Sequence, residues 1–319
     1  MIPSQLKSMT TFTNEGRVKP PMSYRANIDV LPQHIVTKYF ILEKDKETTD
    51  WLKEAANVSA LRILIANLLR HFVSLTTANG IVGRGGMFVV STEQAANLLL
   101  GRTIAQQWTR YRDTMEPPFE TLLDVGAGDG GVTSRLQPLF KRVTATEFSI
   151  PMRWRLWRRG YEVLPYQDPF TNKDGSRRYY DVISCLNVLD RADRPLDLLA
   201  SMRDSLGPEG ILLLAVVLPW CPFVEDGSIK RRPSQMMPMD GGECCKGATF
   251  EQSLQCLMDN VLVPFGFQLE RWCKLPYLCE GNMIAEYAVL HDAVMVLTRK
   301  GDNGTATAEK DTDGSTIHT

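Results

Sequence analysis

Between residues 121 and 218 the chain carries five short apolar, β-rich runs separated by helical stretches, and this alternation restricts the fold more than any other feature of the sequence. Residues 121–125, 143–147, 162–165, 181–186 and 211–218 read as strands, with helices after the first, second and fourth. Strands joined by helical crossovers lie parallel, so the alternation predicts an open parallel sheet. The fifth run, ILLLAVVL, is apolar throughout, as expected of a central strand covered on both faces. Residues 267–275 and 287–299 read as two long strands whose connection, residues 276–282, is too short for a crossover helix. They should pair antiparallel. The fold class is therefore α/β, with a Rossmann-like sheet of seven strands, five parallel plus a C-terminal antiparallel pair.

Upstream, the apolar positions Trp51, Leu52, Ala55, Ala56, Leu61, Leu64, Ile65, Leu68, Leu69 and Phe72 recur at three- and four-residue steps, which predicts helices with one buried face. A further helix should run from Ser91 as N-cap to Leu100, with Glu93 in its first turn. Between them lies a glycine-rich stretch, residues 79–87. Pro117-Pro118 marks the change of grammar. The reading divides the chain into a flexible segment 1–50, a helical lead-in and cap 51–115, a core 116–300 interrupted by a loop insert at 220–248, and a disordered tail 301–319. A helix from about residue 250 to 263 follows the insert.

Composition removes several function classes. With 36 Lys+Arg against 37 Asp+Glu, the formal net charge of −1 gives no long-range field to gather phosphate backbones, so no nucleic-acid partner is expected. The run Arg153-Trp154-Arg155-Leu156-Trp157-Arg158-Arg159 reads as an amphipathic surface helix with snorkelling arginines. No run approaches the roughly 18 apolar residues of a membrane span. Seven cysteines, odd in number and never spaced C-x-x-C, suggest neither a disulfide framework nor a zinc site. His34, His71, His291 and His318 are scattered and form no metal set. An intracellular, cytoplasmic monomer is expected.

The chemistry concentrates at three places. Asp124-Val125-Gly126-Ala127-Gly128-Asp129-Gly130-Gly131 follows the first strand and opens a helix, where glycines let backbone approach a ligand. Gly126, Gly128 and Gly131 also satisfy the dinucleotide fingerprint, so the pattern alone leaves a nicotinamide cofactor open. Asp124, suited to an ammonium group, and the terminal antiparallel pair favour S-adenosylmethionine. Glu147, at the end of the second strand, is placed to accept ribose hydroxyls; a solvated strand-end glutamate is the plainer alternative. Past the fourth strand, Asn187 and Asp190 should project from one side and converge on one acceptor. Asp190 could equally cap the next helix.

The segments LLDVGAGDG, ATEFS, YDVISCLNVLDR, LAVVLPWCPFVE and KLPYLCEGNM, with NGIVGRGGMF upstream, resemble the protein histidine N-pros methyltransferases, the DREV family, over residues 51–300. The resemblance implies a class I methyltransferase fold that uses S-adenosylmethionine to methylate the pros nitrogen of histidine in His-x-His stretches of other proteins. It implies that Gly126, Gly128, Glu147, Asn187 and Tyr277 line the cofactor, and that Asn187 with Asp190 holds the target imidazole. Tyr287 is a further candidate on the substrate side. Where family members carry a tyrosine pair, this chain has Tyr287-Ala288. The alternatives are a small-molecule methyltransferase with the same cofactor and an inactive cofactor-binding scaffold.

Overall fold

A computed structural model of the protein describes residues 11–12, 17–57, 59–69, 75–226, 229–239, 247–282 and 284–300. The main sheet is built from β1 (Met87–Phe88), β2 (Phe119–Val125), β3 (Phe140–Thr146), β4 (Glu162–Leu164), β5 (Tyr180–Leu186), β6 (Leu206–Val217), β7 (Phe267–Glu280) and β8 (Tyr287–Arg299). Their spatial order is β1-β7-β8-β6-β5-β2-β3-β4. β2 to β6 are mutually parallel, and β8 pairs antiparallel with both β6 and β7. The sheet thus has eight strands rather than the expected seven. The eighth, β1, adds only two residues to the outer edge, opposite Leu278 and Cys279, too short a run to carry a periodic signal.

Helices cover both faces. α1 (Lys46–Ala56), α2 (Ala60–Leu69) and α3 (Leu75–Val82) precede the sheet; α4 (Thr92–Leu100) and α5 (Arg102–Tyr111) follow β1. α6 (Ile150–Arg158) joins β3 to β4, α7 (Pro195–Asp204) joins β5 to β6, and α8 (Phe250–Leu257) runs on through a wider π-type turn into β7. Leu98, Leu99 and Trp108 pack with Leu213 and Ala215 on one face of β6. Leu199, Met202, Leu254 and Leu257 pack with Leu212, Leu214 and Val216 on the other. Alternate residues of one strand therefore feed two cores, which is why ILLLAVVL has no polar position. α4 begins where the sequence predicts: Ser91 accepts from the Gln94 N–H while Gln94 accepts from the Ser91 N–H, a capping box.

Three expectations are corrected. Residues 17–45 are no flexible segment: Leu31, Ile35 and Leu42 are buried, and the Trp272 indole donates to the Ile35 carbonyl at 2.8 Å. Short turns and isolated apolar anchors hold them, without the repeat that would reveal burial in sequence. On α2, Ile63 and Ala66 face inward, while Leu61 and Leu64, expected on the buried stripe, are 64% and 67% exposed. Leu75 begins α3, and its side chain, with Phe72 and His71, lies outside the described residues. Cys256, on α8, is disulfide-bonded, against the expectation of none.

Within the insert, Val224–Asp226 pairs antiparallel with Ile229–Arg231. Among the described residues no helix is long and apolar enough to cross a membrane, and no group of His, Cys, Asp or Glu could hold a metal ion.

Candidate active site

The C-terminal ends of β2, β3 and β5 deliver the predicted residues to one edge, as an open α/β sheet does. Gly126 and Gly128 follow β2 with φ of 71° and 57°, a region costly for residues with a Cβ. A Cβ on Gly126 would lie 2.5 Å from Val188 Cγ2, whereas one on Gly128 would meet only Met87 Cε at 3.6 Å. The first glycine is required by packing, the second by its backbone shape.

Glu147 lies just past β3 and is held from two sides. Its Oε2 accepts from the Gly128 N–H at 3.0 Å and its Oε1 from the Ser149 N–H at 2.8 Å. Burial raises its pKa against the pull of these donors. Each oxygen keeps a second lone pair, so a diol could still be bound. Asp124 is different. It is buried beneath the loop, its Oδ2 accepting from the Thr133 hydroxyl at 2.6 Å and its Oδ1 from the Ser184 hydroxyl at 2.7 Å. Burial pushes its carboxyl up to about 6. The expected contact with a cofactor's ammonium gives way to an internal brace that ties β2 to β5 and to the turn after the glycines.

On the other side stand Asn187 and Asp190. Asn187 has φ of 61°, and its N–H donates to the Ala215 carbonyl at 2.9 Å. Asp190 is 2% exposed; its Oδ2 pairs with Arg191 Nη1 at 2.7 Å, while its Oδ1 is buried without a partner. Burial raises its pKa, with Arg191 opposing. Asp190 does not cap α7, whose N-terminal residue is Pro195.

A cavity of about 610 Å³ reaches this region through Arg191, the partner of Asp190, and Met87, which lies closest to Gly128. Its wall includes Ile63 of α2, Asn79 of α3, Met87 of β1, Arg191, Tyr277 of β7 and Leu290 of β8. The glycine-rich stretch therefore contributes to the site from outside the sheet. Tyr277 donates its hydroxyl to the Met87 thioether, and burial holds that hydroxyl well above its ordinary pKa. Tyr287 does not join them. It lies on the opposite face of β8 from Leu290, and its hydroxyl donates to the Pro20 carbonyl at 3.2 Å. Its expected substrate role is corrected to anchoring the N-terminal segment.

Sequence reasoning missed Asp292, a fully buried residue of β8 whose Oδ2 accepts from Asn187 Nδ2 at 2.7 Å. A single acid inside the apolar run of β8 was the available signal. It also missed the part played by the insert. Phe223, just ahead of this strand pair, donates its N–H to the Asp190 carbonyl at 3.0 Å and is sandwiched between Arg191 and Lys230, 3.8 and 3.7 Å from its ring centroid. The insert is thus docked on the turn that carries Asp190.

α6 presents Met152 and Leu156 to the core and leaves Trp154 and Trp157 exposed, with Arg158 stacked on Trp154. Arg155 and Arg159 lie 3.8 and 3.9 Å from Asp129 of the glycine loop. Two of the arginines thus brace that loop. His34 pairs with Asp259 at 3.1 Å, and His291 points away from the site on the far face of β8.

Among solved structures, the chain is similar to an S-adenosylmethionine-dependent methyltransferase from Clostridium acetobutylicum at 14% identity, covering 66% of this chain and 93% of that one with a TM-score of 0.37. It is also similar to a ribosomal protein L11 methylase from Lactobacillus delbrueckii subsp. bulgaricus at 15% identity, covering 63% and 80% with a TM-score of 0.33. The DREV methyltransferase profile matches residues 23–299, which takes in most of the packed N-terminal segment, the cap, every strand of the main sheet and both sides of the site. On that match the chain belongs to the DREV methyltransferase family.

Proposed function

We propose that the protein transfers a methyl group from S-adenosylmethionine to the pros nitrogen of histidine in His-x-His stretches of partner proteins. The observation that carries this reading is Asp190 Oδ1, a buried carboxylate oxygen without a partner, one residue before Arg191 of the cavity wall. A buried acceptor left unmade is costly, and a ligand N–H is what would satisfy it.

The donor side fits the cofactor. Gly128 offers a backbone that a ligand can approach, and Glu147 retains lone pairs for a ribose diol. When bound, S-adenosylmethionine supplies an electrophilic methyl group. On the acceptor side, neutral imidazole is already a competent nucleophile, so no strong base is required. What is required is the right tautomer, an in-line approach and stabilisation of the imidazolium formed. Asp190 Oδ1, accepting the tele N–H, fixes the tautomer with the pros lone pair free and sets a negative charge against the cation. Arg191 holds the other oxygen and keeps the carboxyl from rotating.

The test is incubation with radiolabelled S-adenosylmethionine and a His-x-His peptide, with a peptide lacking the second histidine as control. Fragment ions separate the two methylhistidines. Label on the pros nitrogen of the first peptide is the expected result. A tele product would remove Asp190 from its role, and preferential turnover of free imidazole compounds would favour a small-molecule methyltransferase.

A further inference from the structure

Asp292 sits on β8 opposite Leu275 of β7 and Val217 of β6, in the middle of the sheet and fully buried. One of its oxygens holds the Asn187 amide; the other, Oδ1, is buried without a partner. Asn187 Oδ1 is in the same condition, as is Asp190 Oδ1. Asp292 and Asp190 also feel one another's charge, and the Tyr277 hydroxyl feels both. Three buried acceptor oxygens on neighbouring residues, none with a donor, are a poor arrangement for stability alone.

An asparagine side chain can present either its NH₂ or its oxygen, and only its surroundings decide which. Here the Asp292 carboxylate takes the NH₂, which leaves the oxygen as the free end of the amide. The backbone cooperates: Asn187 is the one non-glycine residue of positive φ among the described residues, and the hydrogen bond to Ala215 pins its peptide. We propose that Asp292 is a positioning residue for methyl transfer, fixing Asn187 so that its Oδ1 joins Asp190 Oδ1 in accepting from the single tele N–H of the acceptor ring. The identity of that ring as histidine rests on the function proposed above; the hold of Asp292 on Asn187 does not.

The test compares Asp292→Leu, which removes the hold, with Asp292→Asn, whose oxygen can still take the Asn187 NH₂. Four readouts on the full chain are melting temperature, S-adenosylhomocysteine affinity by calorimetry, kcat and KM with a His-x-His peptide, and the ¹⁵N–¹H signal of the Asn187 side chain, assigned by its absence in Asn187→Asp. Asp292→Leu should melt no lower than wild type and bind S-adenosylhomocysteine within about twofold. Its kcat should fall by about 10²-fold, the scale on which a misplaced group disrupts a near-attack geometry. Asp292→Asn should recover most of the loss. The Asn187 signal should move to the position of a free amide in Asp292→Leu alone.

Unchanged kcat and an unmoved amide signal in Asp292→Leu would overturn the proposal. So would failure of both variants to fold, which would make Asp292 purely structural. If wild type does not turn over the peptide, the histidine reading fails, and the amide signal alone decides the role of Asp292.

Discussion

The two halves of the site differ in how they treat buried acids. On the side of the glycine loop, both Asp124 and Glu147 have each oxygen engaged by a group of the chain itself. On the side of β5 and β8, Asn187, Asp190 and Asp292 each keep one buried oxygen without a partner. The first half is complete before any ligand arrives, and its acids hold the fold and the loop together. The second half is completed only by donors from outside. Buried polar groups are ordinarily satisfied, so an unsatisfied cluster marks where selection acted on binding rather than on stability.

This contrast can be broken most directly at Asp190. Asp190→Asn should lower turnover by ~10²–10³-fold, the scale of losing one charge-stabilising group in an active site. S-adenosylhomocysteine affinity should stay near wild type and the melting temperature should hold, because only Arg191 loses a partner. Undiminished turnover, or a loss of stability comparable to that of donor-side variants, would erase the distinction.

The glycine loop gives the next largest effect. Gly126→Ala combines the left-handed strain of about 1–3 kcal/mol with a contact at 2.5 Å, so calorimetry should detect no tight S-adenosylhomocysteine binding. Gly128→Ala carries the strain without the clash and should bind measurably. The reverse order would mean that Val188 moves aside and that packing does not select the first glycine.

Glu147→Gln sharpens the comparison from the other side. A glutamine has one acceptor oxygen for the two N–H groups that Glu147 serves, so one buried donor is left unmade at about 1–3 kcal/mol. Melting temperature and affinity should fall together. A variant that lost affinity alone would place Glu147 with the acceptor half.

The smallest effect is a pH dependence. Burial raises Asp124 to about 6 and also raises Glu147, Asp190 and Asp292. A carboxyl whose folded pKa exceeds its unfolded value takes up a proton on folding. Stability is therefore greater below the raised pKa and declines as pH rises through it. Thermal melts should show the melting temperature rising from pH 7 toward pH 5, with a shallower slope in Asp124→Asn. Catalysis has the opposite sign: turnover should fall over the same interval, because the acceptor imidazole, with an unperturbed pKa of about 6.5, loses its lone pair on protonation. Turnover that rose on acidification would contradict the catalytic assignment, and a melting temperature that fell would contradict the assignment of raised carboxyls.

Legibility in the sequence followed the length over which a pattern repeats. β6 announces itself by eight consecutive apolar residues, and α4 by a serine, a first-turn glutamate and a periodic stripe. The glycine loop, Glu147, Asn187 and Asp190 were visible because each sits at the end of such an element. Asp292 was not, since a lone acid in a strand says nothing about which face it takes or what lies across the sheet. Tyr287 and Ala288 differ by one position and so point to opposite faces, and only the pairing of Cys279 with Ala288 fixes which. The outward stripe of α2 misled because Ile63 and Asn67 turn to the cavity.

The N-terminal segment has a consequence for how the molecule behaves in a crowd. β7 is 14 residues long and lies one place from the end of the sheet, yet β1 covers it only at Leu278 and Cys279. Residues 38–40 cover its middle, with the Trp272 N–H donating to the Lys38 carbonyl and the Trp272 carbonyl accepting from the Phe40 N–H. Val18 exchanges hydrogen bonds with Ile284 and Glu286 beyond its far end. A long strand with open N–H and C=O groups is a template for a foreign strand. The segment that the sequence presents as flexible therefore acts as a selvage on the sheet. Trimmed of residues 1–45, the chain would keep its glycine loop and its acids but expose a raw edge, and its first failure would be self-association rather than loss of chemistry.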